Sequence, residues 1–249
     1  MPPMSNAMAP THRVALVTGG AQRVGRAIVE TLSSRGFDVV FTYRSSKDAA
    51  AELENRSKRE GYTVTAVEAD LGKIEAFERP IRDAVDARGR LDLLVNCASI
   101  YEPDPPTPSP EFERKVFEIN VHAPVTLSRW FALQLRASRG SVVNMLDVLA
   151  TRPWPEYSVY CASKAALQNQ TLSLARSLAP EVTVNGIAPG VVAWPARNPE
   201  AEKEKYLKRV PLARAGTPED VATLVHFLAT EGTYITGNII RLDGGRSIT

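Results

Sequence analysis

Tyr160 and Lys164 stand four residues apart in Tyr160-Cys161-Ala162-Ser163-Lys164, a spacing that puts both side chains on one face of a helix. A phenol ordinarily titrates near pH 10, about three units too high for proton traffic in the cell. A neighbouring ammonium favours the phenolate and lowers that value, so such a pair can move a proton near neutrality. Far upstream, Thr18-Gly19-Gly20-Ala21-Gln22-Arg23-Val24-Gly25 follows an apolar run and opens a helical pattern. Glycines there allow a tight turn and close approach of the backbone to a pyrophosphate, which then faces a helix N-terminus. A third group, Tyr43-Arg44-Ser45-Ser46, ends the second apolar run. A site for an unphosphorylated ribose would place a carboxylate there. A guanidinium and two hydroxyls suit a 2′-phosphate instead. The chemistry indicated is proton and hydride transfer with a dinucleotide, NADP(H) rather than NAD(H). Each motif alone also describes an ordinary strand–helix turn or a solvated helix face. Their order along the chain gives them weight.

The elements that must position these groups alternate. Strands are expected at Val14–Val17, Phe37–Tyr43, Thr63–Ala69, Leu91–Val95, Ser141–Leu146, Val182–Ile187 and Asn238–Leu242. Helical patterns fall at Val24–Arg35 (closed by Gly36), Asp48–Arg59, Ile74–Ala87, Glu111–Ala137 with an interruption near Pro124, Tyr157–Leu178 and Pro218–Thr230. The last opens with Thr217 as cap and Pro218 at the first helical position. Near-continuous apolar strands between helices predict an α/β fold, a single-domain Rossmann-type doubly wound parallel sheet of about seven strands with helices on both faces. Two stretches read as excursions after strand ends, where ligands bind in such sheets. Pro103–Pro110 holds five prolines in eight residues. Residues 191–206, beginning near Trp194 and Pro195 and turning highly charged, read as a substrate-loop segment. Trp154 and Trp194 are candidates for the substrate rim.

Composition bounds the rest. The 249 residues are 44% hydrophobic, and the formal net charge is +2. A disordered chain would be less apolar, and a nucleic-acid binder would carry a clearer basic excess. No apolar run is long enough to span a membrane. Two cysteines, Cys97 and Cys161, and three scattered histidines argue against a disulfide scaffold or a metal site and for a cytoplasmic protein. Residues 1–12 are expected to be a disordered tail, in which Ser5-Asn6-Ala7-Met8 resembles a cloning remnant. Residues 13–249 would form the one NADP-binding domain.

The glycine turn, Asn96-Cys97-Ala98-Ser99, Asn120, Tyr160 with Lys164, and Pro189-Gly190 occur in the order in which the short-chain dehydrogenase/reductase family has them, and the chain resembles that family from Arg13 to about Ser247. The resemblance implies cofactor contacts from Gly19, Arg23, Val24, Gly25, Tyr43, Arg44, Ser45, Asp70, Leu71, Asn96, Ala98, Ser99, Pro189 and Gly190. It places Asp70 on the adenine and Asn96 along the ribose and nicotinamide path. Lys164 would bind the nicotinamide ribose, Asn120 would hold a relay water to Lys164, and Tyr160 would be the acid/base. A homotetramer packed through the Tyr157–Leu178 helix and the last strand is also implied.

Two departures from the usual pattern narrow the resemblance. Arg23 replaces the central glycine of the turn, and Asp147 stands thirteen residues before the tyrosine, where a serine is usual. An ionised carboxylate can only accept hydrogen bonds. It would repel the oxyanion that forms when hydride adds to a ketone, and would suit a substrate with N–H donors or a C=N bond in an electron-poor heterocycle. Both departures are similar to the pteridine reductase subgroup. That likeness implies pterin stacking by Tyr101, anchoring by Arg23 and Ser99, and a catalytic set of Asp147, Tyr160, Lys164 and Asn120. The expected partner is a pterin-like heterocycle, with dihydrofolate among the candidates. A carbonyl reductase for 3-oxoacyl thioesters or sugars, and a non-catalytic NADP(H) sensor, are the competing readings.

Overall fold

The computed structural model describes residues 12–107, 109–194 and 199–249. Residues 1–11, Pro108 and residues 195–198 lie outside the described residues, and with them most of the expected tail and part of both excursions.

Seven parallel strands form one sheet in the order β3-β2-β1-β4-β5-β6-β7. They are β1 Arg13–Val17, β2 Phe37–Tyr43, β3 Val64–Glu68, β4 Leu93–Asn96, β5 Ser141–Met145, β6 Thr183–Pro189 and β7 Ile239–Leu242. Alternate side chains leave opposite faces, so Val14 and Leu16 enter one core while Ala15 and Val17 enter the other. This two-sided burial is why the strands read as unbroken apolar runs. One face is covered by α1 Arg23–Ser34, α2 Lys47–Arg59 and α9 Pro218–Thr230. The other is covered by α3 Ile74–Asp86, the helical pieces after β4, and α7 Ser158–Leu178. The strand order reverses between β1 and β4, which opens a crevice at their carboxyl ends.

Local signals account for several helix ends. Gly36 takes φ +86° just past α1, a conformation that glycine adopts at little cost. Thr217 Oγ1 accepts from Asp220 N at 3.1 Å, and Asp220 Oδ2 accepts from Thr217 N at 2.9 Å, a closed capping box ahead of Pro218.

The single helix expected over Glu111–Ala137 is three pieces, α4 Pro110–Phe117, α5 Ala123–Trp130 and α6 Ala132–Ser138. The interruption falls just ahead of Pro124, as expected, and Pro124 itself sits in the first turn of α5. A widened π-turn over Glu118–His122 intervenes, and it carries Asn120. The charged run after β6 is also more ordered than an excursion, since Glu200–Leu207 forms α8.

Candidate functional site

A cleft of about 780 Å³ runs along the carboxyl ends of the strands and the C-terminal turn. The glycine turn forms one wall. Gly19 has φ +69°, and a Cβ on Gly25 would lie 2.1 Å from the Gly19 carbonyl oxygen. The turn and helix therefore close on each other only because residue 25 has no side chain. This bare backbone is a cradle of the kind a pyrophosphate needs. Arg23 occupies the left-handed region at φ +50°. The turn thus keeps the backbone shape of a glycine while carrying a side chain, at a cost of roughly 1–2 kcal/mol. Its guanidinium donates to the Ala193 carbonyl at 3.0 Å, across the cleft from 170 residues away.

Sequence reasoning did not single out Thr18, whose position just before Gly-Gly was the available signal. It is buried, and its Oγ1 accepts from Cys97 N at 2.9 Å and Ala98 N at 3.0 Å. That side chain fixes the spacing between the first turn and the loop after β4.

Val24, Tyr43, Arg44, Ser45, Asp70, Leu71, Ala98, Ser99, Tyr101, Pro189 and Gly190 all line the cleft, as do Gly19, Arg23 and Gly25. Asp70 Oδ1 accepts from Gly72 N at 3.0 Å, which sets the loop after β3. Asn96 does not line the cleft. Its side chain is 1% exposed beneath the floor and donates to Asn144 Oδ1 at 2.8 Å. Placement at the end of a central strand, covered on both faces, turns it inward rather than toward a ligand path.

The side chain of Asn120 ties neighbouring elements together. Its Oδ1 accepts from Ile100 N at 2.8 Å and Ser99 Oγ at 3.1 Å, and its Nδ2 donates to Ile100 O at 3.1 Å and Ser163 Oγ at 3.0 Å. An amide side chain has about that bonding capacity in all, so the side chain itself is fully occupied. The π-turn aims Asn120 at the β4 loop and at α7, and it acts as a tie between them.

Asp147, Tyr160 and Lys164 come together at the buried end of the cleft. Tyr160 Oη donates to Asp147 Oδ2 at 2.8 Å, and Asp147 Oδ1 accepts from Leu149 N at 2.9 Å. Lys164 Nζ donates to the Met145 carbonyl at 2.8 Å and lies 5.7 Å from the centre of the Tyr160 ring. Burial pushes the Asp147 carboxyl above the usual carboxylate range. Burial, with Asp147 beside it, holds the Tyr160 phenol well above 10. Burial also lowers the Lys164 ammonium to about 8. The depression of the tyrosine expected from Lys164 is therefore outweighed. Desolvation and the Asp147 carboxylate set the direction for the phenol.

The helix carrying this pair starts where the proline-rich loop docks. Asp104 Oδ2 accepts from Ser158 N at 2.8 Å and from Ser158 Oγ, and its Oδ1 accepts from Val159 N at 3.2 Å. The loop thus supplies a carboxylate to the N-terminus of α7.

Aromatic rings flank the open side. Tyr101 stacks on Tyr157 at 4.6 Å and 6°, and meets the Tyr160 ring edge-on at 4.8 Å. Trp154 lines the same wall. Opposite them, Trp194 packs edge-on against Tyr206 of α8 at 5.4 Å. Tyr206 Oη accepts from Val191 N at 3.0 Å. Tyr157, Tyr206, Arg152 and Arg246 also line the cleft and were not legible as site residues, because no local pattern marks a residue that loops and turns bring to the cleft.

A family model described as enoyl-(acyl carrier protein) reductase matches residues 19–247. Pteridine reductase 1 of Leishmania tarentolae is 33% identical, over 96% of this chain and 98% of that one. A 3-oxoacyl-[acyl-carrier-protein] reductase, FabG of Staphylococcus epidermidis, is 31% identical over 94% and 98%. The solved structure of FolM alternative dihydrofolate reductase 1 from Brucella suis in complex with NADP superposes with a TM-score of 0.88, at 34% identity and 97% coverage of both chains. The chain belongs to the short-chain dehydrogenase/reductase family, a family of oxidoreductases.

Proposed function

We propose that this protein is an NADPH-dependent reductase of a C=N bond in an oxidised or dihydro pterin. The observation that carries the reading is the buried pair at the end of the cleft, in which the Tyr160 phenol donates to the Asp147 carboxylate at 2.8 Å. A carboxylate so placed opposes an oxyanion and welcomes N–H donors. The pteridine reductase and the FolM dihydrofolate reductase among the similar proteins support the choice.

The cofactor fits the residues present. The Gly19–Gly25 cradle accepts the pyrophosphate, and Arg44 with Ser45 offers the charge and hydroxyl that a 2′-phosphate requires. Asp70 and Leu71 border the adenine end, and Pro189 and Gly190 the nicotinamide end. The NADP and NADPH complexes among similar structures agree with this. When bound, the dihydronicotinamide supplies the hydride.

The chain's own residues do the rest. Tyr101 stacks the flat heterocycle, while Arg23 and Ser99 anchor its polar edge. Tyr160 Oη, kept protonated by burial, delivers its proton to the ring nitrogen beside the carbon that accepts hydride. Asp147 accepts the ring's N–H groups and orients the phenol. Lys164, close to its own titration point near neutrality, returns a proton to the tyrosine. Asn120 holds the β4 loop and α7 in register. Positioning donor and acceptor in stacked contact contributes much of the rate.

The similar 3-oxoacyl-[acyl-carrier-protein] reductase favours a carbonyl reductase as the second reading, and Asp147 opposes it. Following NADPH oxidation with biopterin, dihydrobiopterin, dihydrofolate and a panel of ketones separates them. Pterin turnover is expected. Ketone turnover without pterin turnover would overturn the proposal, and NADPH binding with no turnover at all would favour a sensor. We further propose action in the cytoplasm, where Cys97 and Cys161 stay reduced, a substrate-loop role for residues 191–206, and assembly as a homotetramer through α7 and β7.

A further inference from the structure

Arg246 is a cleft cation that the chemistry above leaves unused. It lines the cleft beside Tyr206 and Trp194. Its guanidinium lies 5.6 Å from the centre of the Tyr206 ring, and that ring is itself fixed by the Val191 N–H. The turn that presents it is rigidly built. Asp243 Oδ1 accepts from Gly245 N at 2.9 Å, its Oδ2 accepts from Ser247 N at 2.7 Å, and its carbonyl accepts from Arg246 N at 3.0 Å. Gly244 and Gly245, at φ +61° and +86°, make this turn possible.

A guanidinium on a cleft wall is well satisfied by a carboxylate, which it meets through two parallel hydrogen bonds. Arg246 has none within ion-pair distance among the described residues, and its Nε is buried without a hydrogen bond. Glu156 and Glu202 border the same mouth without pairing with it. A second cation stands close in the fold. Arg152, five residues beyond Asp147, also lines the cleft and donates to the Thr249 carbonyl at 2.9 Å, in the same C-terminal turn. The rings of Tyr101, Tyr157 and Tyr206 line the same cleft, surfaces for a flat molecule that continues beyond its reacting ring.

We propose that Arg246 is a specificity-determining residue that binds a carboxylate carried on the substrate's arm, so that the site selects conjugated, carboxylate-bearing pterins over unconjugated ones. The inference rests on the pterin reading given above. Arg246 is not catalytic, because its contact is with the arm and not with the reacting bond.

The test compares dihydrofolate, which bears carboxylates, with dihydrobiopterin, which bears none. The wild type, Arg246→Met and Arg246→Lys are assayed at low ionic strength. The Met variant should lower the ratio of kcat/KM for dihydrofolate over dihydrobiopterin about tenfold, through KM rather than kcat, as loss of a charge-assisted contact requires. The Lys variant should recover part of the ratio. An unchanged ratio in the Met variant, or a wild type that reduces dihydrobiopterin but not dihydrofolate, would overturn this proposal and leave the pterin reading standing. A wild type that reduces neither would remove the pterin reading itself, and this proposal with it.

Discussion

Tyr160 is a poor acid in water and a poorer one here, and that suits a group whose task is to keep a proton until a base arrives. Its phenol is held above 10 by burial and by Asp147. In the proposed reaction the proton leaves toward a basic ring nitrogen, and the Asp147 carboxylate draws such a ring into place. Replacing Asp147 by serine should therefore lower pterin kcat/KM by two orders of magnitude or more, with NADPH affinity, read by fluorescence titration, nearly intact. Unchanged pterin turnover would refute the role given to Asp147. Lys164 makes a separate prediction about stability. Its folded value, about 8, lies below the 10.5 of the free side chain. Below pH 8 both states bind the proton and the burial penalty is fully present. Between about 8 and 10.5 the unfolded chain binds more protons, so stability rises with pH. The gain should be about 3 kcal/mol, seen in denaturant titrations as a wild-type slope that Lys164→Met lacks. Equal slopes in the two proteins would contradict the buried ammonium.

At the scale of elements, the site is made by strand ends and by the loops that tie them. Thr18 links the turn after β1 to the loop after β4, Asn120 links that loop to α7, and Asp104 holds the start of α7. None of these bonds touches a ligand, yet each sets a distance that the chemistry needs. The tightest constraint is the glycine turn. In Gly25→Ala the new methyl would meet the Gly19 carbonyl oxygen at 2.1 Å, and backbone must move. Overpacking of this kind costs roughly 1–3 kcal/mol. The expected result is a melting temperature lower by several degrees and NADPH affinity weakened at least tenfold, measured by thermal shift with and without NADPH. Retention of full affinity would mean that the cradle is not where the phosphates sit.

For the whole molecule, the sheet places every cleft residue at one edge while two separate cores hold it from both faces. No helix among the described residues is long and apolar enough to cross a membrane. The outward face of α7 carries Ala162, Ala165, Asn169 and Leu172, with Leu172 41% exposed. Small and apolar residues on an outer helix allow close approach of a second copy, in keeping with the proposed tetramer. Leu172→Arg should then shift the protein to a smaller species in size-exclusion chromatography with light scattering. A wild type that is monomeric at micromolar concentration would remove the proposal.

The sequence by itself determined the strands, most of the helices and the motif residues, because these depend on short-range period and on local turn chemistry. The limits of β2 and α9 could be read directly, since Phe37–Tyr43 is bounded by Gly36 and Arg44, and Thr217-Pro218 is a start signal in its own right. The π-turn at Glu118–His122 could not, because helix-forming residues there are bent by what Asn120 bonds across the fold. Only the tertiary structure decided that Asn96 faces inward, that Tyr160 is harder and not easier to ionise, and that Arg246 shares a cleft with residues more than two hundred positions away. Burial and long-range partners set those properties, and both are sums over chain segments that no local pattern contains.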